Sequence, residues 1–100
     1  TLDKNKNLWV AHFHGACVSV FNNKAKLIHR IRFPAKNITN CAFGGKNTNE
    51  LYVSTATKGM NKADLQKFRY SGFFFSVKTN VKGILQKKFI LNNEEKRSLL

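Results

Sequence analysis

Asp3 is the residue of this chain best placed to do chemistry. Its carboxylate stands in Asp3-Lys4-Asn5-Lys6-Asn7, a turn-forming stretch immediately before the apolar run Leu8-Trp9-Val10-Ala11. A carboxylate where a strand leaves a tight turn can ligate a hard cation, but calcium takes about six to eight oxygens, and one Asp supplies two at most. On residue type alone the default is an Asx residue that organises its own turn and adds little to the core. His12, His14 and His29 offer imidazole nitrogens, and His12 and His14, at i and i+2, would share one face of a strand. No third ligand follows at metal-site spacing, so structural histidines are expected. Cys17 and Cys41 lie inside apolar alternating segments with no second Cys or His at zinc spacing, and read as small buried hydrophobes. A disulfide between the two stays open on sequence, with reduced thiols and a cytoplasmic setting the expectation. No Gly-x-Ser-x-Gly elbow occurs, and no Cys–His pair with an orienting Asn emerges from spacing. Gly44-Gly45-Lys46-Asn47-Thr48 lacks the first glycine of a phosphate loop and reads as a strand connection.

The segments that must position these groups are short and β-like. Leu8–Phe13 and Cys17–Phe21 form an apparent hairpin around Gly15, and Lys26–Phe33 alternates until Pro34 stops it. Asn37–Phe43 closes at Gly44-Gly45, and Leu51–Ala56 and Phe73–Lys78 complete the set. The stretch Asn61–Phe68 is the one helical turn expected. Residues 92–100 form a polar tail that is expected to fray. Leu8-Trp9-Val10-Ala11 recurs as Leu51-Tyr52-Val53-Ser54, a shift of 43 residues. Val18-Ser19-Val20 recurs as Phe75-Ser76-Val77, shifted further because Lys58 to Ser71 reads as an insertion. A period of about 40–45 residues carrying four strands is that of a propeller blade. The fold expected is therefore all-β, about two blades, with a short sandwich as the structural alternative.

Composition narrows the function classes. One hundred residues, 42% of them hydrophobic, make one small core at most. The longest aromatic run, Phe73-Phe74-Phe75, falls far short of the roughly 20 apolar residues of a membrane span. The polar start Thr1–Asn7, without an initiator Met, is no signal peptide and suggests a chain cut from something longer. Net charge is +13, which raises nucleic acid as a partner. The cations are scattered singly, however, with only Lys87-Lys88 and Lys96-Arg97 adjacent. Twelve Asn beside fourteen Lys point to A/T-rich codon usage rather than to a selected ligand. Nucleic acid and membrane are accordingly not the expected partners.

Several pieces then form a joint pattern. Asp3…Leu8-Trp9-Val10-Ala11, His14-Gly15-Ala16-Cys17-Val18, Cys41-Ala42-Phe43-Gly44-Gly45 with Leu51-Tyr52-Val53-Ser54-Thr55-Ala56, and Ser71–Val77 with Val81-Lys82-Gly83 occur in order. This pattern, from Thr1 to about Phe89, resembles the C-terminal third of the regucalcin, senescence marker protein and gluconolactonase family. The resemblance implies blades of a six-bladed propeller over residues 1–91, and hydrolysis of sugar lactones or related esters with one divalent metal, Ca²⁺, Zn²⁺ or Mn²⁺, in the channel. It also implies that Asp3 is a metal ligand and catalytic residue, with the other ligands, a Glu and an Asn, upstream and contributed by a separate N-terminal fragment or chain. A basic β-rich nucleic-acid module using Trp9, Tyr70 or Phe73 as stacking platforms, or a split product without activity, are the alternatives. Lys6, His14 and Ala16 depart from the pattern, standing where glycines are usual.

Overall fold

The computed structural model of the chain describes residues 1–84, and Lys87-Lys88, Lys96-Arg97, the Phe89 limit and the polar tail lie outside them. Six strands form two antiparallel sheets. The first holds β1 (Leu8–His12), β2 (Cys17–Phe21) and β3 (Leu27–Arg32), and the second β4 (Asn37–Gly44), β5 (Glu50–Ala56) and β6 (Phe75–Lys78). Each is a meander in sequence order, as short connections between antiparallel strands favour. A single helix, α1 (Lys62–Lys67), interrupts the β5–β6 connection where one was expected. Asn61 caps it by accepting the backbone N–H of Asp64 at 2.8 Å.

Alternation decides which faces meet. In the first sheet Trp9 lies opposite Val20 and Ala11 opposite Val18, and these side chains point at the second sheet. There Leu51 faces Val77 and Val53 faces Phe75. Val18, Leu51 and Val53 are wholly buried between the layers, with Ile38 beside them. Trp9 meets Phe43 edge-on at 5.1 Å between ring centroids, and Phe33 meets Phe75 at 5.3 Å. Among the described residues each sheet has three strands rather than the four a blade uses. Thr1 begins a further ladder on the free edge of β1, exchanging backbone bonds of 2.9 and 2.7 Å with Trp9.

Two sequence expectations fail on register and exposure. Pairing apolar with apolar aligned Val18-Ser19-Val20 with Phe75-Ser76-Val77. The ladders instead place Phe21 opposite Leu8 and Val77 opposite Leu51, so Val20 corresponds to Ser76. A slip of one residue exchanges the two faces of a strand. The triple Phe also misled: the strand expected over Phe73–Lys78 begins only at Phe75, and Phe73 and Phe74 are 57% and 67% exposed.

With that register corrected, equivalent residues of the two repeats lie on the same side of their sheets. Trp9 and Tyr52 look one way, Leu8 and Leu51 the other. The core is therefore built from non-equivalent residues, as rotation of one unit about an axis requires and mirror-like stacking does not. Among the described residues no helix is long and apolar enough to cross a membrane.

Candidate functional site

Asp3 sits at the base of the first sheet and is fully buried. Its Oδ1 accepts the backbone N–H groups of Asn5 at 2.8 Å and Asn7 at 3.0 Å, and its Oδ2 accepts the Trp9 indole N–H at 2.8 Å. Lys6 closes this turn with φ +63°, the left-handed geometry that Gly adopts more cheaply. The turn is tied to the far end of the described chain: Lys4 N–H donates to the Lys82 carbonyl at 2.8 Å, and Asp3 bridges to Gly83. Gly83 lies against Phe43 so closely that a Cβ there would overlap the ring. The carboxylate thus fastens the turn, the Trp9 ring and the strand beyond it into one unit.

This arrangement does not fit a metal ligand. Three of the four lone-pair directions of the carboxylate are taken by N–H donors, and no surface of the residue faces solvent. Among the described residues no three His, Cys, Asp or Glu side chains gather as a cation cage would require. The expectation that Asp3 adds little to the core is overturned by its burial.

The histidines do not converge either. His12 ends β1 with its Nε2 buried and unpaired. His14 has turned out of the strand at φ +67°, its ring edge-on to Phe13 at 4.4 Å. His29 is on exposed β3 and lines a hollow of about 260 Å³ with Trp9, Ile31, Lys78 and Asn80. Both cysteines are free and buried. The Cys41 thiol donates to the Trp9 carbonyl at 3.7 Å, and burial raises its pKa above the ordinary thiol value.

Three connections meet at the opposite end of the sheets, and Lys36-Asn37 joins them. The Lys36 carbonyl accepts Ala16 N–H from the β1–β2 turn at 2.9 Å, while its own N–H donates to Ser71 Oγ at 3.1 Å. Its ammonium pairs with Asp64 of α1 at 2.9 Å, the sole salt bridge among the described residues. That hydrogen bond holds the Asp64 carboxyl below its usual pKa. Asn37, fully buried, donates to the Lys58 carbonyl at 3.0 Å and leaves its Oδ1 unpaired. Nothing in Pro34-Ala35-Lys36-Asn37 marks this junction in sequence, because its partners lie in distant loops.

Comparison with known proteins accords with this scaffold. The SMP-30/Gluconolactonase/LRE-like region matches residues 1–57. YvrE of Bacillus subtilis, which carries the name of a sugar lactone lactonase, is 38% identical over 84 residues, covering 83% of this chain and 29% of its own length. Regucalcin of Danio rerio is 38% identical over 85 residues, with the same two coverages. The chain thus spans less than a third of these relatives. Among solved structures, a calcium-binding regucalcin from Agrobacterium tumefaciens superposes with a TM-score of 0.82 at 23% identity, over 90% of this chain and 30% of that one. A luciferin-regenerating enzyme superposes with a TM-score of 0.73 at 32% identity, over 84% and 28%. The two sheets are part of a β-propeller, and the chain belongs to the SMP-30/gluconolactonase/LRE-like family.

Proposed function

We propose that this chain is a two-blade portion, residues 1–91 followed by a polar tail over 92–100, of a cytoplasmic hydrolase acting on sugar lactones or related esters. The observation that carries the reading is its 38% identity to a protein that bears the name of a sugar lactone lactonase and to a regucalcin, over more than four-fifths of its length. The chain's contribution is architectural. Residues 1–84 supply the stacked sheets and the Lys36-Asn37 junction, while the divalent cation is held by groups from the remaining blades. Asp3 serves that centre indirectly, by holding Trp9 and the blade base in place.

The test is complementation. The upstream two-thirds of the Bacillus subtilis relative, mixed with this chain, is expected to hydrolyse a sugar lactone in the presence of calcium, zinc or manganese, followed by acid release. Each piece alone is expected to be inactive. No turnover from a mixture that demonstrably forms a complex would reject the reading.

A further inference from the structure

Residues 57–74 leave β5, pass through α1 and return to β6. Nothing in this segment joins the apolar core: the residues buried between the sheets, and those packed against them, all come from outside it. No Cα atom of α1 comes within 8 Å of a strand. Polar groups hold the segment instead, and most of them reach the connection 34–37. The Lys36 ammonium pairs with Asp64 at 2.9 Å, the Lys36 amide donates to Ser71 Oγ at 3.1 Å, and the Tyr70 amide donates to the Pro34 carbonyl at 3.0 Å. At the two ends, the Asn37 side chain donates to the Lys58 carbonyl at 3.0 Å, and Thr55 Oγ1 accepts the Gly72 amide at 2.8 Å. All of these bonds lie within the chain, so they stand whatever else surrounds the sheets.

Both ends of the segment carry a glycine in the left-handed region, Gly59 at φ +75° and Gly72 at φ +89°. Glycine changes backbone region at little cost, so these two positions can turn while the residues between them move together. Neither is hemmed in: a Cβ at Gly59 would meet nothing within 4 Å, and one at Gly72 only the Thr57 methyl group at 3.4 Å. Between the hinges, local bonds keep the shape. Asn61 caps α1, the Phe68 amide donates to the Asp64 carbonyl at 2.8 Å, and the Ser71 amide to the Phe68 carbonyl at 3.1 Å. The closed position also carries a penalty. Asn37 is fully buried and its Oδ1 has no hydrogen-bond partner, a cost that contact with water removes. Few apolar contacts, polar anchors and a buried orphan acceptor are the marks of a segment that opens at low free energy.

We propose that residues 60–71 form a latched strap, which swings on Gly59 and Gly72 while both sheets stay folded. The Lys36–Asp64 pair is the latch. Opening uncovers Asn37 Oδ1 and the start of β4, so this end of the sheets meets a hydrogen-bond donor from solution only when the pair is broken. Lys36 is suited to the part because its carbonyl accepts the Ala16 amide, which ties the latch to the β1–β2 turn as well. The device is independent of the lactonase reading, since every group in it belongs to this chain.

Residue-resolved hydrogen exchange on the whole chain tests this. The Lys36 and Tyr70 amides are the reporters, because their bonds cross between the strap and the connection 34–37. Both are expected to show the same protection, at least about a hundredfold below that of the central strands β2 and β5. About 1 M urea is expected to leave the reporters unchanged while the central strands exchange faster, because a local opening exposes little surface. Lys36→Met keeps the aliphatic stem and removes the ammonium. It is expected to lower the protection of both reporters about three- to fivefold, and Lys36→Arg to return it to near the wild-type level. Reporters as protected as β2 and β5, quickening with them in urea, would overturn the proposal, because the strap would then open only as the sheets unfold. So would reporters that Lys36→Met leaves unmoved, which removes the latch. Unequal protection of the two reporters would also overturn it, by dissolving the strap into separate loops.

Discussion

Replacing Asp3 tests most directly what its carboxylate is for. Asp3→Ala strands three donors: the Asn5 and Asn7 amides, which are partly buried, and the Trp9 indole N–H, which is buried. A hydrogen bond to a charged acceptor contributes about 1.5–3 kcal/mol, and a buried donor left unpaired costs about 1–3 kcal/mol. The two amides can recover water, so the indole dominates and the total is about 3 kcal/mol. A domain of this size holds roughly 5–10 kcal/mol in all, so the melting temperature is expected to fall by about 10–20 °C. Asp3→Asn is expected to fall less, because its oxygen still accepts both amides while its NH₂ opposes the indole donor. The chain has one Trp, so the fluorescence of the folded state reports the indole alone, and a shift should appear in both variants. Adding millimolar calcium is expected to change none of the three proteins differentially. A melt of Asp3→Ala within about 2 °C of wild type would refute the reasoning. Stabilisation by calcium in the wild type that the variant lacks would return Asp3 to the metal.

Ala16 holds φ +53°, so Ala16→Gly should stabilise by about 1 kcal/mol in urea titration despite the added unfolded-state entropy. Gly83→Ala should cost about 1–3 kcal/mol, because its methyl group would overlap the Cβ and Cγ of Phe43, and Phe43→Leu, which keeps both atoms, should not return that loss. Asp64 has a lowered folded pKa, so its stabilising effect is present above the unfolded carboxyl pKa and lost as pH falls through the folded value. Lys36→Met should therefore flatten the acid limb of urea midpoint against pH, with no difference from wild type once Asp64 is protonated. Binding of duplex DNA, followed by anisotropy, should be indifferent to sequence and vanish near about 0.15 M salt, since it would rest on scattered charge alone.

The strands were legible as apolar, β-branched and aromatic runs bounded by turn residues: Leu8–His12 and Glu50–Ala56 lie within a residue of where their sequences place them. The helix, Lys62–Lys67, lies inside the stretch Asn61–Phe68 where the sequence places a helical turn. Sequence could not say which residues of Phe73-Phe74-Phe75 turn inward, because three identical apolar residues carry no alternation. Aligning like with like misregistered β2 on β6, because the repeat preserves orientation while the burial of each face changes. The strained positions were visible as departures from glycine: Lys6, His14 and Ala16 all take positive φ. Asp3 stood out in the sequence, but the donors that surround it did not. A carboxylate two and four residues before amides it can reach, and six before an indole, is as much a clamp signature as a ligand one, and only burial separates them. The Lys36-Asn37 junction was invisible because Lys58, Asp64 and Ser71 reach it through tertiary structure alone.

The tie between the Asp3 turn and Gly83 also sets when the molecule can finish folding. Local hairpins close in microseconds, but a contact between the third residue and the eighty-third waits for nearly the whole described chain. At a synthesis rate of about 5–20 residues per second, the β1–β2 hairpin exists for seconds with no Lys82 carbonyl for Lys4 and no Phe43 beside Trp9. During that interval the open edge of β1 and its apolar neighbours are accessible to any passing strand. Lys82 and Gly83 therefore act as a lock on the Asp3 turn. The nascent chain is most exposed to mispairing just before they arrive.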